Sequence, residues 1–181
     1  KRVTTSDYAS ADYYYVNKSS LPKVYGGFNT SLSWKGLDLS AIFAYSIGGY
    51  IYNRDITMIL HNGSLEGRAW STEILRRWTP DNRYTDVPAL STTSNNWNSA
   101  STRFLQNNSY MRLKNLTLSY NLPKPWVSKL ALSSVQVYVQ GDNLFTIHKN
   151  QGLDPEQGIT GITYYRYPAM RTISGGINIA F

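Results

Sequence analysis

The sequence has no cysteine. That excludes a disulfide framework and thiol chemistry, and it leaves the compartment open. Charge is scarce too: Asp, Glu, Lys and Arg make up 16% of the 181 residues, against roughly 25% in ordinary soluble domains. No apolar run approaches the roughly 18 residues that a membrane-spanning helix needs. Only two histidines occur, His61 and His148, and neither has a nucleophile motif around it. The carboxylates Glu66, Glu73, Asp81 and Asp86 fall in one long segment, but no pair among them is spaced for acid–base work. The expectation is a protein that is not an enzyme and needs no cofactor. Basic residues outnumber acidic ones, 18 to 11, yet they are scattered and form no phosphate-tracking stripe, so nucleic acid is not an expected partner. No secretory leader opens the chain, since Lys1-Arg2 is followed by the polar Val-Thr-Thr-Ser-Asp. The protein is then either not exported or an internal or C-terminal piece of a longer one.

What the sequence does have is tyrosine, 15 residues of it, and long stretches that alternate with a period of two. Lys1 to Leu21 reads as a polar loop with an aromatic cluster at Tyr13-Tyr14-Tyr15. From Lys23 to Lys35, Phe28, Thr30, Leu32 and Trp34 share one face of a strand. Lys35-Gly36 is a tight turn, and Leu37, Leu39, Ala41, Phe43, Tyr45 and Ile47 return as its antiparallel partner. Asn53 to Asn108 interrupts the pattern with a long insertion that carries one helix-like piece, Ser64 to Trp78. Alternation resumes with Leu116, Leu118, Tyr120 and Leu122 opposite Asn115, Thr117, Ser119 and Asn121. A turn from Pro123 to Leu132 leads to Val135, Val137 and Val139, opposed by Gln136, Tyr138, Gln140 and Asp142. A Gly-rich loop, about Ile147 to Arg166, precedes the last strand. There Ile173, Ile177, Ile179 and Phe181 share one face, and Ser174 and Asn178 share the other.

The two faces decide the kind of sheet. A solvated β-face carries Lys, Glu and Arg. Here the polar positions within strands are mostly Ser, Asn, Thr, Gln and Gly, and aromatic residues gather toward strand ends. Short and long connections alternate. Together these features predict an all-β, antiparallel transmembrane β-barrel segment with short periplasmic turns, long extracellular loops and one short helical piece. About five strands cannot close a barrel, and an open sheet in hydrocarbon strands backbone groups without partners, so further strands are expected from upstream. The terminal Phe181 would sit at the periplasmic rim.

Several stretches carry a resemblance. They are Pro22 to Gly27, Ser46-Ile47-Gly48-Gly49, Arg77-Trp78-Thr79-Pro80-Asp81-Asn82, Arg103-Phe104-Leu105 and Ser109-Tyr110-Met111-Arg112-Leu113-Lys114-Asn115-Leu116-Thr117-Leu118-Ser119-Tyr120. Further along come Asp142-Asn143-Leu144-Phe145-Thr146, Gly152-Leu153-Asp154-Pro155-Glu156 and Tyr167-Pro168-Ala169-Met170-Arg171-Thr172 leading to Phe181. In order and spacing they resemble the C-terminal barrel region of the SusC/RagA family of TonB-dependent outer-membrane transporters of Bacteroidetes. The resemblance implies about the last five or six strands of a 22-stranded barrel, with residues 1–181 as the C-terminal part of the wall. Plug domain and TonB box would lie outside the chain. Implied partners are the upstream barrel and plug, TonB, outer-membrane lipid and a SusD-like surface lipoprotein acting as a lid. The implied cargo is a glycan oligosaccharide or a peptide. Ile147-His148-Lys149-Asn150-Gln151 departs from the aromatic or Tyr-Lys run frequent at that point in the family. Two alternatives stay open: a soluble or surface-anchored carbohydrate-binding β domain, and a siderophore-type receptor without a lid.

Candidate site residues follow. Trp97, in a polar Asn/Ser setting, and Tyr84 are candidates to touch ligand or lid. Trp70 and Trp78 are expected instead to pack the helix-like piece. Tyr138, Gln140 and Asp142 face the lumen, where they could meet cargo or plug. Asp154 and Glu156 could ligate a cation, though an Asp-Pro in a Gly-rich loop more often caps backbone N–H groups. Phe181 fits the terminal signal that the resemblance associates with barrel assembly.

Overall fold

A computed structural model describes the chain except residues 1–6, 64, 92, 94, 95, 151, 153 and 157. The Lys1-Arg2 opening, Leu153 of the Gly-Leu-Asp-Pro-Glu stretch and Ser64 at the head of the expected helix lie outside the described residues. In chain order the strands are β1 (Val24–Trp34), β2 (Leu37–Ile47), β3 (Tyr50–Asn53), β4 (Leu105–Asn107), β5 (Tyr110–Asn121), β6 (Ser134–His148), β7 (Ile162–Thr163) and β8 (Thr172–Ala180). Two short helices, α1 (Arg54–Ile59) and α2 (Lys124–Val127), and several 3-10 turns complete the set. Among the described residues no helix is long and apolar enough to cross a membrane.

The chain divides into two units. The larger, formed by Leu21–Gly49, Asn107–Gly158 and Tyr167–Phe181, is a five-stranded antiparallel sheet in the order β1-β2-β5-β6-β8. Large strands therefore pair in sequence order, as alternating short and long connections require. Lys35 and Gly36 both have positive φ, 48° and 88°, which matches the right-handed twist of the flanking strands and closes β1–β2 with two residues. The β1–β2 turn, the α2 connection and the end of β8 lie at one end of the sheet, as the pairs Trp34 with Leu37, Leu37 with Tyr120 and Ser134 with Ala180 show. Both long connections leave from the other end. The Pro123 to Leu132 turn contains α2, with Val127 buried.

Register sorts the side chains into two faces. Leu32 with Leu39, Phe28 with Phe43, Leu39 with Leu118, Leu118 with Val139, and Val137 with Ile177 share the apolar one. The Phe28 and Phe43 rings stack at 4.7 Å between centroids. This face has no cover: Leu32 is 66% exposed, Val139 55% and Ile177 62%.

The polar face is laced by side-chain hydrogen bonds. Asn121 Nδ2 donates to Asp38 Oδ2 at 2.8 Å, and Asn178 Nδ2 to Gln136 Oε1 at 3.1 Å. Thr117 Oγ1 donates to Asn115 Oδ1 at 2.9 Å. A continuous exposed apolar patch combined with an internally satisfied polar face inverts the soluble arrangement.

One irregularity matters. Register shifts at Lys114 against both neighbours of β5. Strict alternation from Leu116 would put Arg112 on the apolar face. The bulge places Leu113 there instead, opposite Phe43 and Phe145, and turns Arg112 to the polar face opposite Ala44 and Thr146.

The smaller unit gathers Lys1–Ser20, Tyr50–Gln106 and Ile159–Arg166. It holds a three-stranded sheet, β4-β3-β7, with β3 and β7 parallel. The expected helix over Ser64 to Trp78 is not there. The helix is α1, earlier in the chain, where Asn53 Oδ1 caps Ile56 N at 3.1 Å. Among the described residues of that stretch, Thr72–Arg76 is helical, as a 3-10 turn started by Ser71. The apolar periodicity of that stretch is met by packing on loops: Leu60, Ile74 and Val87 form a small core, with Ile56 and Trp97 against it.

Candidate functional site: a latched loop and an aromatic cavity

Arg112 is the best-buried charge in the larger unit, 3% exposed. Its Nε donates to Thr146 Oγ1 at 2.8 Å, its Nη1 to Glu156 Oε2 at 2.7 Å, and its Nη2 to Asp154 Oδ1. Lys114 Nζ reaches both oxygens of Glu156 at 2.6 Å. Asp154 accepts two backbone N–H groups as well, Glu156 N at 2.9 Å and Ala169 N at 2.6 Å. Burial favours the neutral acid here, but the two backbone donors and then Arg112 outweigh it and hold the Asp154 carboxyl below the usual range. The cluster fixes the Asp154-Pro155-Glu156 turn to β5 and β6, and Asn108 Nδ2 adds a bond to Pro155 O at 2.9 Å.

Asp154 and Glu156 face cationic and N–H donors. Both carboxylates are taken up by Arg112, Lys114 and backbone N–H groups, so they serve as turn devices. The sequence carried a signal for this. Arg112 and Lys114 share the parity of Leu116, which is an untenable phase for two charges unless the strand bulges at Lys114.

The lumen-side candidates are part of the polar lattice. Asp142 accepts from Asn115 Nδ2 at 2.8 Å and from Gln140 Nε2 at 3.3 Å. Tyr138 lies across Gly176: a Cβ there would come within 2.7 Å of the Tyr138 hydroxyl oxygen. Gly176 is thus the seat of the Tyr138 ring. Phe181 follows β8 at the short-turn end and is 93% exposed.

In the smaller unit Trp97 packs against the Leu60, Ile74 and Val87 cluster. Trp97 Nε1 donates to Leu60 O, its ring meets Phe104 edge-on at 6.3 Å, and the Arg103 guanidinium stacks on it at 3.6 Å. It is a packing residue of the loop core, in contrast to the polar setting its sequence neighbours suggested. Trp70 and Trp78, expected to be the packing pair, are each 43% exposed. Trp70 Nε1 donates to His61 Nδ1 at 3.0 Å, and burial pushes the imidazole below its ordinary value, so His61 is a neutral acceptor. Tyr84 is fully exposed and lines a shallow recess with Arg76, Asn82 and Asp86. A cavity of about 540 Å³ lies between the 8–16 segment and the 100–105 segment, lined among others by Tyr8, Tyr13, Tyr14, Tyr52, Ser101 and Leu105. Tyr8 Oη closes one side by donating to Ala100 O at 2.8 Å. Sequence reading took Tyr13-Tyr14-Tyr15 as a loop feature only; three adjacent aromatics in a polar segment were the available signal.

An uncovered apolar sheet face, a hydrogen-bonded polar face and long connections confined to one end define this class of fold: a wall segment of an outer-membrane-type β-barrel, open because it is a part. No family model matches the chain. Two TonB-dependent receptors of Formosa agariphila do, one 36% identical over 167 residues (86% of this chain) and one 31% identical over 182 residues (95%). TonB-dependent receptor SusC of Bacteroides thetaiotaomicron is 26% identical over 92% of the chain. Among solved structures, the RagAB peptide importer in its closed-closed state superposes with a TM-score of 0.85 at 37% identity, covering 99% of this chain and 19% of that one. Its open-open state gives 0.83 at 36%. The chain therefore belongs to the SusC/RagA family of TonB-dependent receptors. It spans only 16–18% of the length of the curated relatives it matches.

Proposed function

We propose that this chain is the C-terminal part of the wall and extracellular loops of a TonB-dependent importer in the outer membrane. The observation that carries the reading is the inverted sheet, apolar and bare on one face, polar and cross-linked on the other. Lipid would cover the first, and the plug and passing cargo would meet the second. β1 and β8, the two sheet edges, would each take a further strand, since unpaired edges in hydrocarbon are costly. Short turns and Phe181 would face the periplasm, and the long-connection end of the sheet the outside.

The machinery follows from the family. TonB would act through an upstream plug, and a SusD-like surface lipoprotein would close the extracellular mouth. Transport, rather than catalysis, is the activity. Cargo is an oligosaccharide or a peptide. Similarity to the RagAB peptide importer, at 37% identity over nearly the whole chain, favours testing peptides first. The aromatic cavity lined by Tyr8, Tyr13 and Tyr14 offers stacking surfaces suited to either cargo.

The test uses the full-length receptor in its own outer membrane. Uptake of labelled oligopeptides and oligosaccharides is measured with and without a protonophore, and the receptor is purified in detergent with whatever lipoprotein accompanies it. Energy-dependent uptake and a co-purifying lipoprotein are expected. A full-length protein that is a monodisperse monomer without detergent would refute the barrel reading. An intact barrel that takes up an iron chelate and purifies alone would favour the siderophore-type alternative.

A further inference from the structure

Among the described residues of the smaller unit, His61 is the titratable side chain that is fully buried, at 1% exposed. Its ring organises segment 61–70. Trp70 Nε1 donates to His61 Nδ1 at 3.0 Å, and the backbone N–H groups of Gly63 and Leu65 donate to the same atom at 3.3 and 3.4 Å. The imidazole and indole rings lie 5.2 Å apart between centroids. Nδ1 has one lone pair, so three donors converge on one acceptor, and the proton of the neutral ring sits on Nε2. Nε2 is itself buried and has no hydrogen-bond partner among the described residues.

The backbone on either side is held without help from the ring. Ser71 N donates to Ile59 O at 2.8 Å, and Ser91 N to Asn62 O at 2.9 Å. Leu60 packs with Ile74 and Val87. Both ends of segment 61–70 are therefore pinned, and the imidazole adds the closure between them. A proton on Nδ1 turns the acceptor into a donor, sets it against three N–H groups and buries a charge. Burial is the largest influence on the ring and favours its neutral form; the Arg68 backbone opposes this, and the Arg68 guanidinium adds to it. Arg68 is the charged side chain that bears on the ring, and its Nη1 is turned to the Tyr165 hydroxyl at 3.3 Å. Of the nearest carboxylates in sequence, Glu66 is exposed and Glu73 pairs with Arg76 at 3.2 Å. The core packed on this stretch, Leu60, Ile74, Val87, Ile56 and Trp97, holds no titratable group.

We propose that His61 is a proton-operated latch: on taking up one proton it releases Trp70, Gly63 and Leu65, and segment 61–70 opens while its ends stay pinned. The latch lies in the loop's own geometry and operates whatever the cargo. Its sign is set by the closed form, which favours the neutral ring, and by the open form, where the ring has its ordinary value of 6.5. Closure is complete above that value and is lost as pH falls below it, by up to about tenfold in the opening equilibrium per pH unit until the closed form itself titrates.

Hydrogen exchange read by mass spectrometry on the full-length receptor in detergent tests the latch, with rates corrected for the intrinsic pH dependence of amide exchange. Protection at Gly63 and Leu65 should be flat from about pH 8 to 6.5 and fall between about pH 6.5 and 5, while protection in β5 and β6 stays constant. His61→Asn puts an amide oxygen where Nδ1 stands and takes up no proton in this range, so its protection, high or low, should not change with pH. The His61 ring of the wild type, followed by exchange of its carbon-bound hydrogen, should titrate below 6.5. Flat wild-type protection, an equal pH dependence in His61→Asn, a parallel fall in β5 and β6, or a ring that titrates at or above 6.5 overturns the proposal.

Discussion

Replacing Arg112 with Met should release the Asp154-Pro155-Glu156 turn while leaving the barrel wall assembled. Arg112 and Asp154 have side chains only 4% and 6% exposed. Removing one member of such a pair typically costs about 3–5 kcal/mol, because the remaining charge is left buried and unpaired. Some of that is recoverable here. Asp154 keeps its bonds from Glu156 N and Ala169 N, and Glu156, 36% exposed, keeps Lys114. A loss near the lower end, about 3 kcal/mol, is therefore expected, equivalent to more than a hundredfold rise in local opening. Hydrogen exchange read by mass spectrometry on the full-length receptor in detergent measures it directly. Amides around Asp154 to Glu156 and at Ala169 should lose protection, whereas those of β2 and β5 should not. Arg112→Lys should rescue only part, since an ammonium cannot span Thr146, Glu156 and Asp154 together.

The pH dependence has a definite sign. A carboxyl held below its ordinary value of 3.8 adds stability that is full above that value and is lost as pH falls through the lower, folded one. Wild-type protection should therefore be flat from pH 5 to pH 8 and should fall only below about pH 4. Arg112→Met with unchanged exchange at Ala169 would refute the latch.

Other outcomes follow from the same geometry. Gly176→Ala puts a Cβ within 2.7 Å of the Tyr138 hydroxyl oxygen and should destabilise the β6–β8 pairing by about 1–3 kcal/mol; the loss should be smaller in a Tyr138→Ser background, and urea unfolding in detergent resolves the difference. Ile177→Lys places a charge on the lipid face, at about 2–4 kcal/mol near mid-bilayer and less toward the rim. The amount of heat-modifiable receptor in the outer membrane should fall, and wild-type levels would count against the lipid-facing assignment. Trp97→Ala should loosen the loop core by about 3 kcal/mol and raise protease sensitivity there. Tyr84→Ala, at a fully exposed residue, should leave proteolysis unchanged, so any loss of uptake in that variant reports ligand or lid contact.

The sequence by itself determined the five long strands, their pairing order and their two faces. A period of two fixes which residues lie together, and a one-residue slip would reverse every side chain, so Leu39, Leu118, Val139 and Gly175 could meet across the sheet in one way only. Ends were legible as well, because Lys35-Gly36 can close a two-residue hairpin and the long connections cannot. Tertiary structure alone decided where periodicity fails. The bulge at Lys114 is a break in alternation, and only the neighbours on β2 and β6 reveal that it rescues Arg112 from the lipid phase. The long insertion lacks a dominant period. Its helix moved from Ser64–Trp78 to Arg54–Ile59, where a cap at Asn53 was available, and its tryptophans were sorted by loop packing that brings Trp97 onto Leu60 and Arg103. Contacts between residues far apart in sequence, such as Arg112 with Asp154 or Tyr8 with Ala100, depend on how loops close over one another, and no local pattern encodes that.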